Sequence, residues 1–235
     1  MTLVVAFTVI VIATACGSSH GETCMPGEAG CGSGSTHGRV TREVDGLLRG
    51  IPQSGNALGS PNAPVTLQYF GDLECPICEK FTLGMLPSII KRWVRPGKIR
   101  IEYVSLETAT HDPEVFKEQQ VAALAAGAQN KMWNYIETFY NEQGPEDTGY
   151  VNATYLRNLA QQVPGLNLAA WEEARSDPAL KEEVNRDAEL AGVDNLTGTP
   201  SFLIGHTGGE TKRVESSPLG EPQAFNEALE QQLKA

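Results

Sequence analysis

The stretch Ala63-Pro64-Val65-Thr66-Leu67-Gln68-Tyr69-Phe70-Gly71-Asp72-Leu73-Glu74-Cys75-Pro76-Ile77-Cys78 decides how the rest of this 235-residue chain is read. Val65 to Phe70 alternates and is rich in β-branched and aromatic residues, which predicts a strand. Gly71 to Glu74 is a short connection. From Pro76 onward Phe81, Met85, Ile89 and Trp93 recur near helical spacing, with Leu86 and Ile90 widening the apolar stripe. Pro76 falls in the first turn, where its missing N–H costs nothing. Pro87 kinks this helix and Pro96-Gly97 ends it. The pair Cys75 and Cys78, spaced C-x-x-C, therefore sits where a strand hands over to a helix.

C-x-x-C by itself is ambiguous, because zinc sites use the same spacing. A closed zinc site needs four ligands, and the chain holds no second C-x-x-C and no H-x3-5-H. Cys24 and Cys31 would complete a set only by folding back from the N-terminal region, so no metal site is read in the folded part. Redox chemistry fits the context better. At a helix N-terminus the unpaired N–H groups and the macrodipole stabilise an anion. The thiolate of Cys75 is favoured there, which activates it and makes it a good leaving group. Cys78 lies within one turn, close enough to close a disulfide. A structural disulfide would be an odd staple over so short a loop.

Further along, Ile99 to Val104 reads as the next strand. The middle is helical. Asp112-Pro113-Glu114 is a helix start, Lys131 to Glu142 places Trp133, Ile136, Phe139 and Tyr140 on one face, Asn152 opens a further helix, and Asp177-Pro178 opens another through Leu190. Residues 112–191 hold 14 acidic and 6 basic residues, a net of −8 out of the chain's −11, which reads as a solvated acidic face. Ser201 to Ile204 is a short strand, with a hairpin partner at Lys212 to Glu215. Pro222 to Lys234 closes with an amphipathic helix. Strand, helix, strand, helical block, hairpin and helix is an α/β order with helices interrupting a small sheet. There is no internal repeat.

Composition sets the outer limits. Hydrophobic residues make up 40% and charged residues 20%, which excludes wholesale disorder. The net charge of −11 argues against a nucleic-acid partner. Leu3 to Ala15 is a 13-residue apolar run, short for a membrane span of about 20 residues and suited to a secretory signal. Two export readings compete. Ala13-Thr14-Ala15 fits ordinary signal cleavage, whereas small residues running into Cys16 resemble a bacterial lipoprotein signal with Cys16 lipidated. Ala13 stands where that pattern usually has leucine, and the first basic residue is Arg39. Residues 16–38 have the Gly/Ser composition of a flexible tether. Cys24 and Cys31 within it form either a local disulfide or two unpaired linker thiols. The organisation expected is a signal segment over 1–15, a tether over 16–38 and a folded domain over 39–235.

The run from Ala63 to Cys78 resembles the active-site segment of DsbA-like thioredoxin-fold proteins, and Gly198-Thr199-Pro200-Ser201-Phe202 resembles their cis-proline loop. The helical block over about 112–191 stands where that family inserts a helical domain between the C-x-x-C half and the cis-proline half. The resemblance covers roughly residues 40–235. It implies that Cys75 attacks and carries the mixed disulfide, that Cys78 resolves it, and that Pro76 and Ile77 tune the redox potential. It also implies a cis Thr199–Pro200 bond packed beside the disulfide, with the Thr199 backbone pairing with substrate. One departure stands out. Relatives carry a buried carboxylate six positions before the first cysteine, where this chain has Tyr69. Asp72 and Glu74 are the candidates to replace it, and Glu74 would also oppose the Cys75 thiolate by like charge.

The reading that results is an extracytoplasmic thiol–disulfide oxidoreductase, anchored to the outer face of the cell membrane by lipid or a signal anchor. It donates the Cys75–Cys78 disulfide to reduced or misfolded exported polypeptides. A membrane thiol-oxidising partner linked to quinone recharges it, no bound cofactor is implied, and the protein is monomeric. Two alternatives differ in mechanism: a reductase or isomerase working from the dithiol form, and a redox-inert lipoprotein that binds a partner through its acidic helices.

Overall fold

A computed structural model describes residues 33–234. The expectations for the signal segment, Cys16, Cys24, Cys31 and the first part of the tether lie outside the described residues. The chain opens with α1 (Ser33–Leu48), followed by the two-residue strands β1 (Gln53–Ser54) and β2 (Ala57–Leu58), then β3 (Val65–Gly71). Next comes a broken helix: α2 (Pro76–Lys80), a π-helical turn (Phe81–Met85), α3 (Leu86–Ile89) and a second π-helical turn (Ile90–Val94). Strand β4 (Ile99–Ser105) leads into five helices: α4 (Pro113–Gly127), α5 (Met132–Asn141), α6 (Ala153–Gln162), α7 (Leu168–Ala174) and α8 (Pro178–Val193). The chain ends with β5 (Ser201–His206), β6 (Thr211–Arg213) and α9 (Pro222–Gln232).

The sheet order is β1-β2-β4-β3-β5-β6. Strand β3 is central, parallel to β4 and antiparallel to β5, so that Tyr69 faces Tyr103 on one side and Phe202 on the other. Its alternation divides the core into two layers. Val65, Leu67 and Tyr69 join the large apolar cluster with Phe81, Phe202 and Phe225, under the broken helix and α9. Phe70 points to the opposite face, where it packs with Val104, Leu203 and Ala191 of α8. Helices therefore cover both faces of the sheet, which is the α/β architecture the pattern predicts and the thioredoxin-like fold the resemblance implies.

Pro87 acts as expected of a residue without an N–H. The first π-helical turn ends just before it, and the wide turn absorbs the break in the hydrogen-bond ladder. Gly71 is required by close packing, because a Cβ there would lie 2.7 Å from the Tyr103 ring.

Helix α1 begins inside the stretch read as linker. Residues 33–38, Gly/Ser-rich and assigned to the linker, are the first turns of α1. Tertiary docking overrides composition here. Val40, Val44 and Leu48, spaced four apart, are buried, and His37 Nδ1 meets Glu142 at 2.6 Å and Gln162 at 2.9 Å. Helix α7 is absent from the sequence reading. Its start is set by Asn167, whose side chain accepts from the Ala170 N–H, and by the fully buried Trp171.

Candidate active site

The turn that carries the cysteines is built by Asp72. Its Oδ1 accepts from the Glu74 N–H at 3.0 Å and the Thr110 hydroxyl at 2.6 Å. Its Oδ2 accepts from the N–H groups of Thr108, Ala109 and Thr110 at 2.8–2.9 Å. Asp72 is fully buried, and these five donors fill its lone pairs. This corrects its candidacy as a proton acceptor for the cysteines: it is a staple joining the active-site turn to the loop after β4. The same loop reaches the proline loop, where the Thr108 and Thr199 hydroxyls meet at 2.5 Å. From the helical block, Gln143 Nε2 donates to the Leu73 carbonyl at 2.6 Å and more weakly to that of Cys75 at 3.3 Å, while the Tyr140 hydroxyl donates to the Asp72 carbonyl. Thr108, Thr110, Tyr140 and Gln143 lie at least 30 residues from Cys75 and belong to no local motif, so pattern reading does not find them.

Cys75 is the N-cap residue of α2, with extended backbone (φ −71°, ψ 118°), and Pro76 occupies the first helical position. The two sulfurs are free thiols. Cys75 is 5% exposed and Cys78 is completely buried. The Cys75 thiol lies 3.5 Å from the Thr199 carbonyl, and the Thr199–Pro200 bond is cis. Hydrogen bonding from the Cys78 thiol, helped by Thr199 and the backbone N–H groups of Cys78 and Ile77, outweighs burial and lowers the Cys75 pKa to about 6. Burial pushes the Cys78 thiol in the opposite direction, well above the ordinary range. One sulfur is thus stabilised as an anion and its neighbour as a proton-bearing thiol. Ile77 is 43% exposed, beside a cavity of about 210 Å³ walled by Pro200, Arg213 and Val214.

Near Cys78 the structure holds hydroxyls at the position where the resemblance implies a carboxylate. Tyr69 is buried between Phe81, Tyr103 and Phe202. Its hydroxyl lies 3.2 Å from that of Thr82 and donates to that of Tyr140 at 3.3 Å. Burial and the nearby Cys78 sulfur push its pKa well above the usual phenol value, so it keeps its proton throughout the working range. Glu74 is 2% exposed, and burial raises its carboxyl pKa from the ordinary carboxylate value. Among the described residues no group of three or more His, Cys, Asp or Glu could hold a metal ion, and no helix is long and apolar enough to cross a membrane.

The thiolate geometry has a direct test. The Cys75 pKa is depressed from the ordinary thiol range, so the anion's stabilisation of the reduced protein is fully present above that range and is lost as pH falls through about 6. Alkylation of the reduced protein by iodoacetamide is expected to reach half its maximal rate near pH 6, against about 8.5 for an ordinary thiol. A midpoint above about pH 8 would remove the activated-thiolate reading.

Residues 53–217 match the family model described as Thioredoxin. Among curated proteins, the chain is 23% identical over 154 residues to probable disulfide bond formation protein D of Bacillus anthracis, covering 63% of this chain and 68% of that protein. Among solved structures, oxidised BdbD from Bacillus subtilis matches with a TM-score of 0.66 at 20% identity, covering 79% of this chain and 98% of that one. Wolbachia pipientis alpha-DsbA1 matches with a TM-score of 0.62 at 17% identity, covering 80% and 92%.

Proposed function

The chain belongs to the thioredoxin family, and on that premise we propose that it is an extracytoplasmic thiol–disulfide oxidoreductase that donates the Cys75–Cys78 disulfide to reduced exported polypeptides. The observation that carries this reading is the division of labour between the sulfurs: Cys75 is held as a stabilised thiolate at a helix N-terminus, and Cys78 is sealed beneath it. A substrate thiolate attacks Cys75 Sγ, the Cys75–Cys78 bond breaks, and its electron pair leaves on Cys78, which takes up a proton. A second substrate thiolate then attacks the substrate sulfur of the mixed disulfide. Cys75 leaves with that electron pair as the stabilised thiolate. The protein ends reduced by two electrons and the substrate oxidised by two.

Cys75 and Cys78 are the catalytic pair. Pro76 and Ile77 tune the potential, since Ile77 supplies an N–H to the Cys75 sulfur and Pro76 has none to supply. The Thr199 backbone and Pro200 hold the substrate chain. A membrane thiol oxidase linked to quinone takes the electrons away and restores the disulfide.

Lipid on Cys16 anchors the domain to the outer face of the membrane, as the small residues before Cys16 support. In a bacterial host, Cys16→Ser is expected to move the protein from the membrane to the soluble fraction; unchanged fractionation would remove this anchor.

The functional test is the Cys75–Cys78 reduction potential in glutathione buffers. A strongly bound thiolate stabilises the reduced form, so a value toward the oxidising end, about −120 mV, is expected. A value near about −270 mV would reassign the protein to the reductase side. The Tyr69 departure makes this measurement decisive, because no carboxylate stands at that position to move the Cys78 proton in either direction.

A further inference from the structure

Glu74, the residue before Cys75, opens onto a cavity that the exchange chemistry leaves unused. It measures about 180 Å³ and is walled by Thr110, Asp112, Val115 and Asp147. Val115 also walls a second cavity of about 300 Å³, whose floor is Val151 and Leu156. The two share Val115 as a wall and so adjoin as a groove over the start of α4, with Glu74, the chain neighbour of Cys75, at one end and the start of α6 at the other. No residue of this groove lines the cavity between Ile77 and Pro200.

The two ends differ in chemistry. The near cavity carries three carboxyls, from Glu74, Asp112 and Asp147. Of these, Asp147 contacts the His111 ring, while Glu74 and Asp112 have no cationic partner among the described residues. Burial, with Asp72 and Asp147 nearby, raises the Glu74 pKa, so an incoming cation relieves a real electrostatic cost. In the far cavity Glu118 accepts from Arg175 at 2.8 Å and lies 3.8 Å from Lys181, which leaves Glu114 at its edge as the one carboxyl there with no ion pair among the described residues. The floor there is apolar, with Val151 and Leu156 only 5% and 1% exposed.

We propose that this groove binds the chain of a reduced substrate next to its reacting cysteine, taking a lysine or arginine side chain in the cavity beside Glu74 and an aliphatic or aromatic side chain in the cavity over Leu156. The proposal rests on the exchange function and adds a substrate preference to it. Complementary charge speeds encounter and selects against acidic flanks, while the apolar end recognises side chains that a folded protein would hide.

Stopped-flow exchange between the oxidised full chain and reduced cysteine peptides of equal length tests it. One peptide carries lysine near the cysteine and leucine beyond it. A second has glutamate for the lysine, a third has the two flanking residues exchanged, and each is made with the flank on either side of the cysteine. Reduced glutathione is the reference thiol. The lysine–leucine peptide is expected to react about tenfold faster than the glutamate one on at least one side.

Two sets of substitutions locate the effect. Asp112→Asn with Asp147→Asn removes two charges but keeps an N-cap residue for α4 and a residue suited to φ 56° at position 147. It is expected to cut the lysine preference to about threefold or less. Ala153→Phe, at an exposed position on the rim of the far cavity, is expected to remove the leucine preference. Equal rates for all peptides, with glutathione still reacting, would overturn the groove and leave the oxidoreductase standing. Preferences that persist in both variants would also overturn it. No reaction with any thiol would overturn the exchange function, and the groove as its substrate site with it.

Discussion

Replacing Cys75 with alanine is expected to bring thiol–disulfide exchange down to the uncatalysed background, whereas Cys78→Ala is expected to accumulate as mixed disulfides with its substrates. The asymmetry follows from where the sulfurs sit. Cys75 is the one held as an anion, by the Cys78 thiol, Thr199 and the first N–H groups of α2. Without it the remaining active-site sulfur, Cys78, is completely buried and held as a protonated thiol, so it offers neither access nor nucleophilicity. Without Cys78 the protein has no disulfide of its own to donate, but the Cys75 thiolate still attacks disulfides already present in exported proteins, expelling one substrate sulfur as a thiolate, and no second sulfur in the active site can displace the one that stays bound. Each substrate then stays attached until an external thiol releases it. Both substitutions leave the apolar packing almost unchanged, so loss of folding does not explain the result. Non-reducing electrophoresis before and after dithiothreitol, together with a turnover assay, reads both outcomes. A Cys75→Ala protein with turnover near wild type would sink the assignment of this centre.

The fold was legible wherever local pattern and tertiary demand agree. Val65 to Phe70 alternates because β3 is a central strand with one apolar layer on each face, and the structure extends it by only one residue, to Gly71. The starts of α4, α6 and α8 were readable because Asp112, Asn152 and Asp177 cap them with their own side chains. The tether boundary was not. Gly and Ser at positions 33–38 have poor helix propensity, and what makes them helical is the docking of Val40, Val44 and Leu48, a contact that lies beyond the linker itself. The π-helical turns after α2 were equally invisible, since only the kink at Pro87 leaves a mark in the sequence.

The centre divides in the same way. Cys75, Cys78, Thr199 and Pro200 belong to two short motifs, and the fold brings them together: the Cys75 sulfur lies 3.5 Å from the Thr199 carbonyl although 124 residues separate them. The residues that hold these motifs in place are scattered. Gln143 and Tyr140 reach the turn from the end of α5, and Thr108 and Thr110 reach it from the loop after β4. Each is a single polar residue meeting a backbone group, a hydroxyl or the Asp72 carboxylate, with no spacing rule that foretells it. Asp72 was visible as an acid near the cysteines. Its role was not, because a carboxyl that accepts five hydrogen bonds and one that shuttles protons look alike in a sequence.

That role makes Asp72→Ala the substitution expected to cost the most stability. Removing the carboxyl strands three N–H donors of the 108–110 loop, the Glu74 N–H and the Thr110 hydroxyl around a fully buried position. A buried group left unpaired costs about 1–3 kcal/mol. Water entering the space partly compensates, so the expected loss is on the order of 3–5 kcal/mol. For a domain of this size that lowers the melting temperature by roughly 10 °C. Asp72→Asn should fall between. Its one oxygen can still accept from the N–H groups of Thr108, Ala109 and Thr110, and its amide can donate to the Thr110 hydroxyl, so only the Glu74 N–H and the Thr110 hydroxyl proton lose their acceptor. The order wild type, Asn, Ala in thermal unfolding is the signature of an acceptor that organises a loop. A proton shuttle would give a different one: Asn as inactive as Ala, with both as stable as wild type. Because Thr108 ties the same loop to Thr199, the Ala variant should also release the proline loop from the cysteines. Exchange with peptides is then expected to fall further than exchange with glutathione, which needs only Cys75.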